Sequence, residues 1–277
     1  MKFKTIFFLA VFALTTIISQ PVHAGVRISC SMYPVYDFAR AVAHSSADVS
    51  LIIRPGTEPH EFEPSPRDIK TLNDSDVFIF TGKLMEQWAE KISSSLANTL
   101  VIDASEGIEF TGNDPHVWLD LSLAQKMIQN IALGLSRADP EHSQEYHRNA
   151  DAYCAQLADL DAKFMTLPKN KTLVFAGEFS YAYFVKRYGF EYVSAYDGEH
   201  EPGVKRMAEI IRLIRANGAK YVLSDVPFTR VTRAISEQTG AKILPFSSAH
   251  NVQDTSRTFL EIMNDNFSHL AGILLND

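Results

Sequence analysis

Four residues of the kinds that bind divalent transition metals stand in loops: His60, His116, Glu178 and His250. Imidazole suits zinc, copper, iron and nickel, and a carboxylate beside it extends the range toward manganese. Two of the histidines follow proline, in Glu58-Pro59-His60 and Asp114-Pro115-His116. Proline fixes its own φ and restricts the residue before it. A histidine just after it stands on a stiffened loop, and a preorganised ligand loses less entropy on binding.

The elements that must position these groups read as alternating strands and helices. Apolar strands are expected at Val26 to Ser31, Val49 to Ile53, Val77 to Phe80 and Leu100 to Ile102. Between and after them, helical patterns run from Val35 to His44, from Ser65-Pro66 through Leu72, from Met85 to Leu96 and from a Ser122 cap to about Arg137. Tyr146, Ala150, Tyr153, Leu157, Leu160 and Phe164 then form one apolar stripe on a single long helix, on the order of 40 Å long between Pro140 and Leu167. The alternation restarts with strands at Lys171 to Phe175, Tyr192 to Ser194, Tyr221 to Ser224 and Lys242 to Pro245. Helices are expected at Tyr181 to Tyr188, Val204 to Asn217, Thr229 to Thr239 and Ser256 to Leu274. Such alternation implies parallel sheets with helices on both faces. His60, Glu178 and His250 follow strands, and in open α/β sheets ligands gather outside the carboxyl ends of the strands. The expected division is a leader over 1–24, an N-terminal α/β lobe over 25–138, a linking helix over 139–168 and a C-terminal α/β lobe over 169–277.

Three segments carry a specific likeness. Gly56-Thr57-Glu58-Pro59-His60-Glu61-Phe62-Glu63-Pro64-Ser65-Pro66-Arg67-Asp68 resembles the first signature of the zinc and manganese solute-binding receptors of ABC importers. Asp114-Pro115-His116-Val117-Trp118-Leu119-Asp120 resembles the second. Glu178-Phe179-Ser180-Tyr181-Ala182-Tyr183-Phe184, with Tyr188-Gly189 after it, resembles the third. The resemblance implies two Rossmann-like lobes with parallel sheets joined by one long helix, with the metal site in the interlobe cleft. It assigns His60 and His116 as ligands from the first lobe and Glu178 as the third ligand. The fourth family position, usually an aspartate, falls on Ser247, a poor metal ligand. His250, three residues on, is the expected replacement, with water as the alternative. The ligand carried is one divalent transition metal, Zn2+ or Mn2+, with Fe2+ in the same donor range. The implied partners are an ABC permease in the inner membrane and its cytoplasmic ATPase, with the receptor acting as a monomer. Asp120 is expected either to hold His116 or to cap the helix after it, and the cluster Asp197, Glu199, His200 and Glu201 is expected to be a solvated loop.

The remaining observations bound this reading. Lys2 and Lys4, the apolar stretch Ile6 to Ile18 and the small residue Ala24 make a secretory leader with cleavage after Ala24, which places the mature chain in the periplasm. Losing the two lysines takes the net charge from −7 to −9, which argues against nucleic acid as a partner. Cys30 and Cys154 are expected to be two small buried hydrophobes, although an exported chain permits a disulfide. An exported zinc metallohydrolase and a metal-stabilised adhesin share the same donors. The first needs an open metal position and a base, for which Glu61 and Asp120 are the candidates. The second unfolds when its metal is removed.

Overall fold

The computed structural model describes residues 25–176, 181–196 and 201–275. The expected leader, Glu178 and residues 197–200 of the acidic cluster lie outside the described residues. The first lobe contains β1 (Val26–Cys30), α1 (Tyr33–Ala43), β2 (Ala47–Leu51), α2 (Pro66–Asn73), β3 (Val77–Phe80), α3 (Gln87–Ser93), β4 (Leu100–Asp103) and α4 (Leu121–Ala138). The long helix is α5 (Ser143–Met165). The second lobe contains β5 (Thr172–Phe175), α6 (Ala182–Tyr188), β6 (Glu191–Ser194), α7 (Val204–Asn217), β7 (Tyr221–Ser224), α8 (Arg230–Thr239), β8 (Lys242–Pro245) and α9 (Phe259–Leu274).

Each lobe is built on one four-stranded parallel sheet, ordered β2-β1-β3-β4 in the first and β6-β5-β7-β8 in the second. The two orders are the same topology repeated. α5 spans about 35 Å at helical rise, and its whole predicted stripe, Tyr146 to Phe164, is buried. It packs on α1 and α4 of the first lobe and on α9 of the second. The largest apolar core accordingly runs through both lobes, from Ile28 and Val77 through Leu157 to Phe184 and Leu270. Asp37 of α1 sits buried at the start of α9, where its Oδ2 accepts from Tyr153 Oη at 2.7 Å and from the Phe259 N–H at 3.0 Å. A carboxylate at a helix N-terminus meets unpaired N–H groups and the positive end of the dipole, so this contact fastens α1, α5 and α9 together.

Local chemistry explains the boundaries. The α2 N-terminus is a capping box in which Ser65 and Asp68 bond each other's backbone N–H. The α4 cap is Asp120 and not Ser122, because the Asp120 carboxylate accepts from Ser122 N at 2.9 Å and from Ser122 Oγ at 2.6 Å. α7 and α8 both end on left-handed glycines, Gly218 and Gly240. Cys30 and Cys154 are buried free thiols, and no helix among the described residues is long and apolar enough to cross a membrane.

Gly134 shows how closely α4 lies on the first sheet. A Cβ there would stand 2.7 Å from Ile102 Cγ1, with Cδ1 nearer still. Alanine is the better helix former by about 1 kcal/mol, yet forcing an extra methyl into a packed core costs about 1–3 kcal/mol. Gly134→Ala is therefore expected to destabilise the fold by on the order of 1 kcal/mol. Urea unfolding checks this, and an unchanged or raised midpoint would show that Ile102 yields freely.

Candidate metal centre

The loops that leave the carboxyl ends of β2, β4 and β8 meet between the lobes. They bring together His60, His116 and His250, residues far apart in sequence. The ring centroids of His60 and His116 are 5.3 Å apart, those of His116 and His250 5.9 Å, and those of His60 and His250 6.3 Å. His60 is half-buried, and His116 and His250 are only 3% and 6% exposed. Among the described residues no group of three His, Cys, Asp or Glu side chains is already arranged to hold an ion. The imidazoles instead contact one another and nearby carboxylates. Glu178, the expected carboxylate of the set, lies outside the described residues.

His116 is the most tightly set of the three. Its Nδ1 lies 2.7 Å from Asp114 Oδ1, and the same oxygen accepts its backbone N–H at 2.9 Å. An ionised carboxylate only accepts, so His116 carries its proton on Nδ1 and turns a bare Nε2 toward the cleft. That Nε2 faces His60 Nε2 at 3.3 Å. Two bare nitrogens repel at this distance, so His60 supplies the proton between them. Burial pushes His116 below the ordinary imidazole range, with Asp114 pulling the other way. Neutral imidazole is the form that binds metal.

His250 is held from two sides. Its Nδ1 lies 2.5 Å from Ser248 Oγ, and its Nε2 lies 3.5 Å from Glu58 Oε2. Glu58 also accepts the His60 backbone N–H at 3.2 Å. Burial pushes the Glu58 carboxyl up, but its contacts with His250 and His60 together outweigh it and hold the group below its ordinary value. Glu58 is therefore a carboxylate facing the histidine cluster.

Ser247, the family's fourth position, is turned to structural work. Its N–H donates to Asn266 Oδ1 at 2.8 Å, its carbonyl accepts from Asn266 Nδ2 at 2.8 Å, and its Oγ accepts from the Ala249 N–H at 3.1 Å. Asp120 caps α4 and lies 3.1 Å from Arg187, so it does not hold His116 and is engaged away from any role as a base. Asp114 does the holding. The sequence carries a signal for it, since aspartate two residues ahead of a backbone N–H makes an Asx turn. Glu58 had a similar signal, an acid in the same proline-stiffened loop as His60. Trp118 does more than pack, because its Nε1 donates to the Ser248 carbonyl at 2.8 Å and ties the His116 loop to the His250 loop across the cleft.

With this geometry in view, comparison with known proteins gives one result. Residues 28–272 match the family model of the periplasmic zinc-uptake complex component A, ZnuA. The chain belongs to the ZnuA family. The high-affinity zinc uptake system protein ZnuA of Bacillus subtilis is 26% identical over 90% of this chain and 88% of its own length. The manganese-binding lipoprotein MntA of Halalkalibacterium halodurans is 30% identical over 68% of each chain. Against a zinc-binding protein AdcA of Streptococcus pyogenes, the chain spans only 55% of that relative's length. Among solved structures, the Zn(II)-bound ZnuA-like domain of Streptococcus pneumoniae AdcA superposes with a TM-score of 0.80. It is 26% identical over 90% of this chain and 99% of that domain. The two-lobed parallel α/β architecture of this ZnuA-family chain is thus shared with a solved relative.

Proposed function

We propose that this protein is the metal-capturing receptor of an ABC importer, binding one divalent transition metal through His60, His116, Glu178 and His250. The observation that carries the reading is the convergence of three buried or half-buried imidazoles from three loops in the cleft between the lobes. Two come from the first lobe and one from the second, so an ion bound there bridges both. Three imidazoles and one carboxylate form a four-donor set that suits zinc, with manganese and iron(II) weaker on the same donors. The zinc-binding and manganese-binding relatives support the same range. The leader over 1–24 would deliver the mature chain to the periplasm. There it would present its ion to a membrane permease driven by a cytoplasmic ATPase, as a binding protein and not as a catalyst.

Calorimetric titration of Zn2+ and Mn2+ into the metal-free mature protein tests this. One equivalent of tightly bound zinc is expected. His250→Ala is expected to weaken it by about 10-fold or more, as loss of one donor must exceed the least effect of losing a donor's partner. The metal-free protein is expected to keep its circular dichroism, because each lobe has its own sheet and the core does not depend on the ion. Absence of stoichiometric binding of any divalent metal would overturn the reading. Unfolding on metal removal would favour a structural ion.

A further inference from the structure

Ser248 has no free polar group. Its N–H donates to Asp225 Oδ1 at 2.8 Å and its carbonyl accepts from Trp118 Nε1 at 2.8 Å. Its Oγ lies 3.0 Å from Asp225 Oδ2 and 2.5 Å from His250 Nδ1. Asp225 Oδ2 also accepts from Tyr181 Oη at 2.7 Å, and that hydroxyl lies 2.9 Å from the Phe246 carbonyl as well. Ser248 is fully buried. Between Ser248 and His250, Ala249 takes φ +60, the left-handed region that L-residues with a Cβ enter at a cost. This kink sets the serine hydroxyl against the imidazole two residues on. Asp225 follows β7 and Ser248 follows β8, which are neighbours in the second sheet, so the sheet brings the carboxylate to the serine.

We propose that Asp225 and Ser248 are positioning residues that fix which nitrogen of His250 faces the cleft. The inference rests on His250 being a ligand of the proposed centre. A carboxylate only accepts, so the Ser248 hydroxyl spends its one proton on Asp225. Its oxygen is then left to accept from His250, which must carry a proton on Nδ1. Nε2 is the nitrogen turned to Glu58, on a ring whose centroid lies 6.3 Å from that of His60 and 5.9 Å from that of His116, and it is the one offered to the ion. Outer partners of this kind orient a ligating ring and set its tautomer. His116 receives the same treatment from Asp114 directly, so the two lobes reach one result by different means.

Asp225→Asn reverses the relay without changing its shape. Its amide oxygen still accepts from the Ser248 N–H, while its NH2 group donates to Ser248 Oγ. Tyr181 keeps the Phe246 carbonyl as its acceptor. The serine hydroxyl must then donate to His250 Nδ1, which sends the ring proton to Nε2 and masks the donor. Ser248→Ala removes the relay and leaves the backbone bonds of residue 248 in place. Zinc affinity is expected to fall about 10–100-fold in both variants, more in Asp225→Asn. On a His250→Ala background neither substitution should matter further, since coupled residues are non-additive. Nitrogen-15 spectra of the metal-free protein at pH 8 give a readout that mere structural support would not move. His250 Nδ1 should be protonated in the unaltered chain and unprotonated in Asp225→Asn. An unchanged Nδ1 signal in Asp225→Asn, or affinity losses that persist in full without His250, would overturn the inference. If the unaltered chain bound no metal, the receptor reading would fail, and the Nδ1 signal alone would still decide the relay.

Discussion

On the proposed function, His116→Ala is expected to lower metal affinity by more than about 100-fold, beyond the 10–100-fold cost of losing a ligand's outer partner. The reasons are local. The ring is 3% exposed, its Nδ1 is tied to Asp114, its face meets Trp118 at a centroid distance of 5.2 Å, and its bare Nε2 points at His60. Truncation also takes from Asp114 its imidazole donor and leaves Oδ1 the residue-116 N–H alone, while Oδ2 is buried with no hydrogen-bond partner among the described residues. The variant therefore loses a donor and leaves a buried carboxylate less well satisfied, which costs stability too. Asp114→Asn is the companion change. It keeps the volume but removes the obligate acceptor, and its effect should fall within the outer-partner range. Calorimetry on both variants, with circular dichroism of the metal-free forms as a folding control, reads the difference. Zinc affinity within about threefold of the unaltered chain in a folded His116→Ala would exclude His116 from the centre, given what a lost donor must cost.

The second large effect lies away from the cleft. Glu86 is fully buried at the carboxyl ends of β1 and β3. Its oxygens meet the Ser31 hydroxyl, the Thr81 N–H at 3.1 Å and the Gly82 N–H at 3.2 Å. Burial pushes the carboxyl from an ordinary 4.5 up to about 7, against those donors. The native state thus holds a proton that the unfolded chain has released between pH 4.5 and about 7. Stability is full below the lower value and declines as pH rises to the upper one, by on the order of 3 kcal/mol. Glu86→Gln is uncharged throughout. Its oxygen can accept from Thr81 and Gly82 while its amide donates to Ser31. Urea unfolding of the metal-free proteins at pH 4.5 and pH 8 should find the two alike at the low pH. At pH 8 the glutamine variant should be more stable by about 2–3 kcal/mol. Identical pH slopes would mean that Glu86 ionises freely in place.

The strands β3, β7 and β8 and the helix α7 have the bounds that their apolar runs and glycine stops predict. They are legible because their signals are local. β2 ends at Leu51 and not Ile53, since Ile52 and Ile53 are buried beyond the regular strand and lengthen the apolar run. α3 begins at Gln87 and not Met85, because the Glu86 side chain turns back onto Thr81 and Gly82. α9 begins at Phe259 and not Ser256. Ser256 is held by Asp254, and Thr258 with Glu261 forms the capping box that starts the helix. At the proposed centre, His60 and His116 stood out as candidates by their proline-stiffened loops and His250 by its place after a strand, and the structure brings the three rings together. Asp225 and Ser248 were not. They lie 23 residues apart, and only the pairing of β7 with β8 makes them neighbours. Nor did single residues foretell Trp118, since an indole that packs and an indole that also bridges two loops look alike in a sequence.

The core that runs unbroken through both lobes, fastened by Asp37, Tyr153 and the start of α9, has a consequence for how the protein would be recognised. A body braced in this way has little freedom to announce its cargo by swinging its halves. Its loaded and empty forms would show a membrane partner nearly the same silhouette. On the proposed function, empty copies would then occupy the same docking berth as full ones, and the traffic of ions would depend on the ratio of the two as much as on the number of receptors.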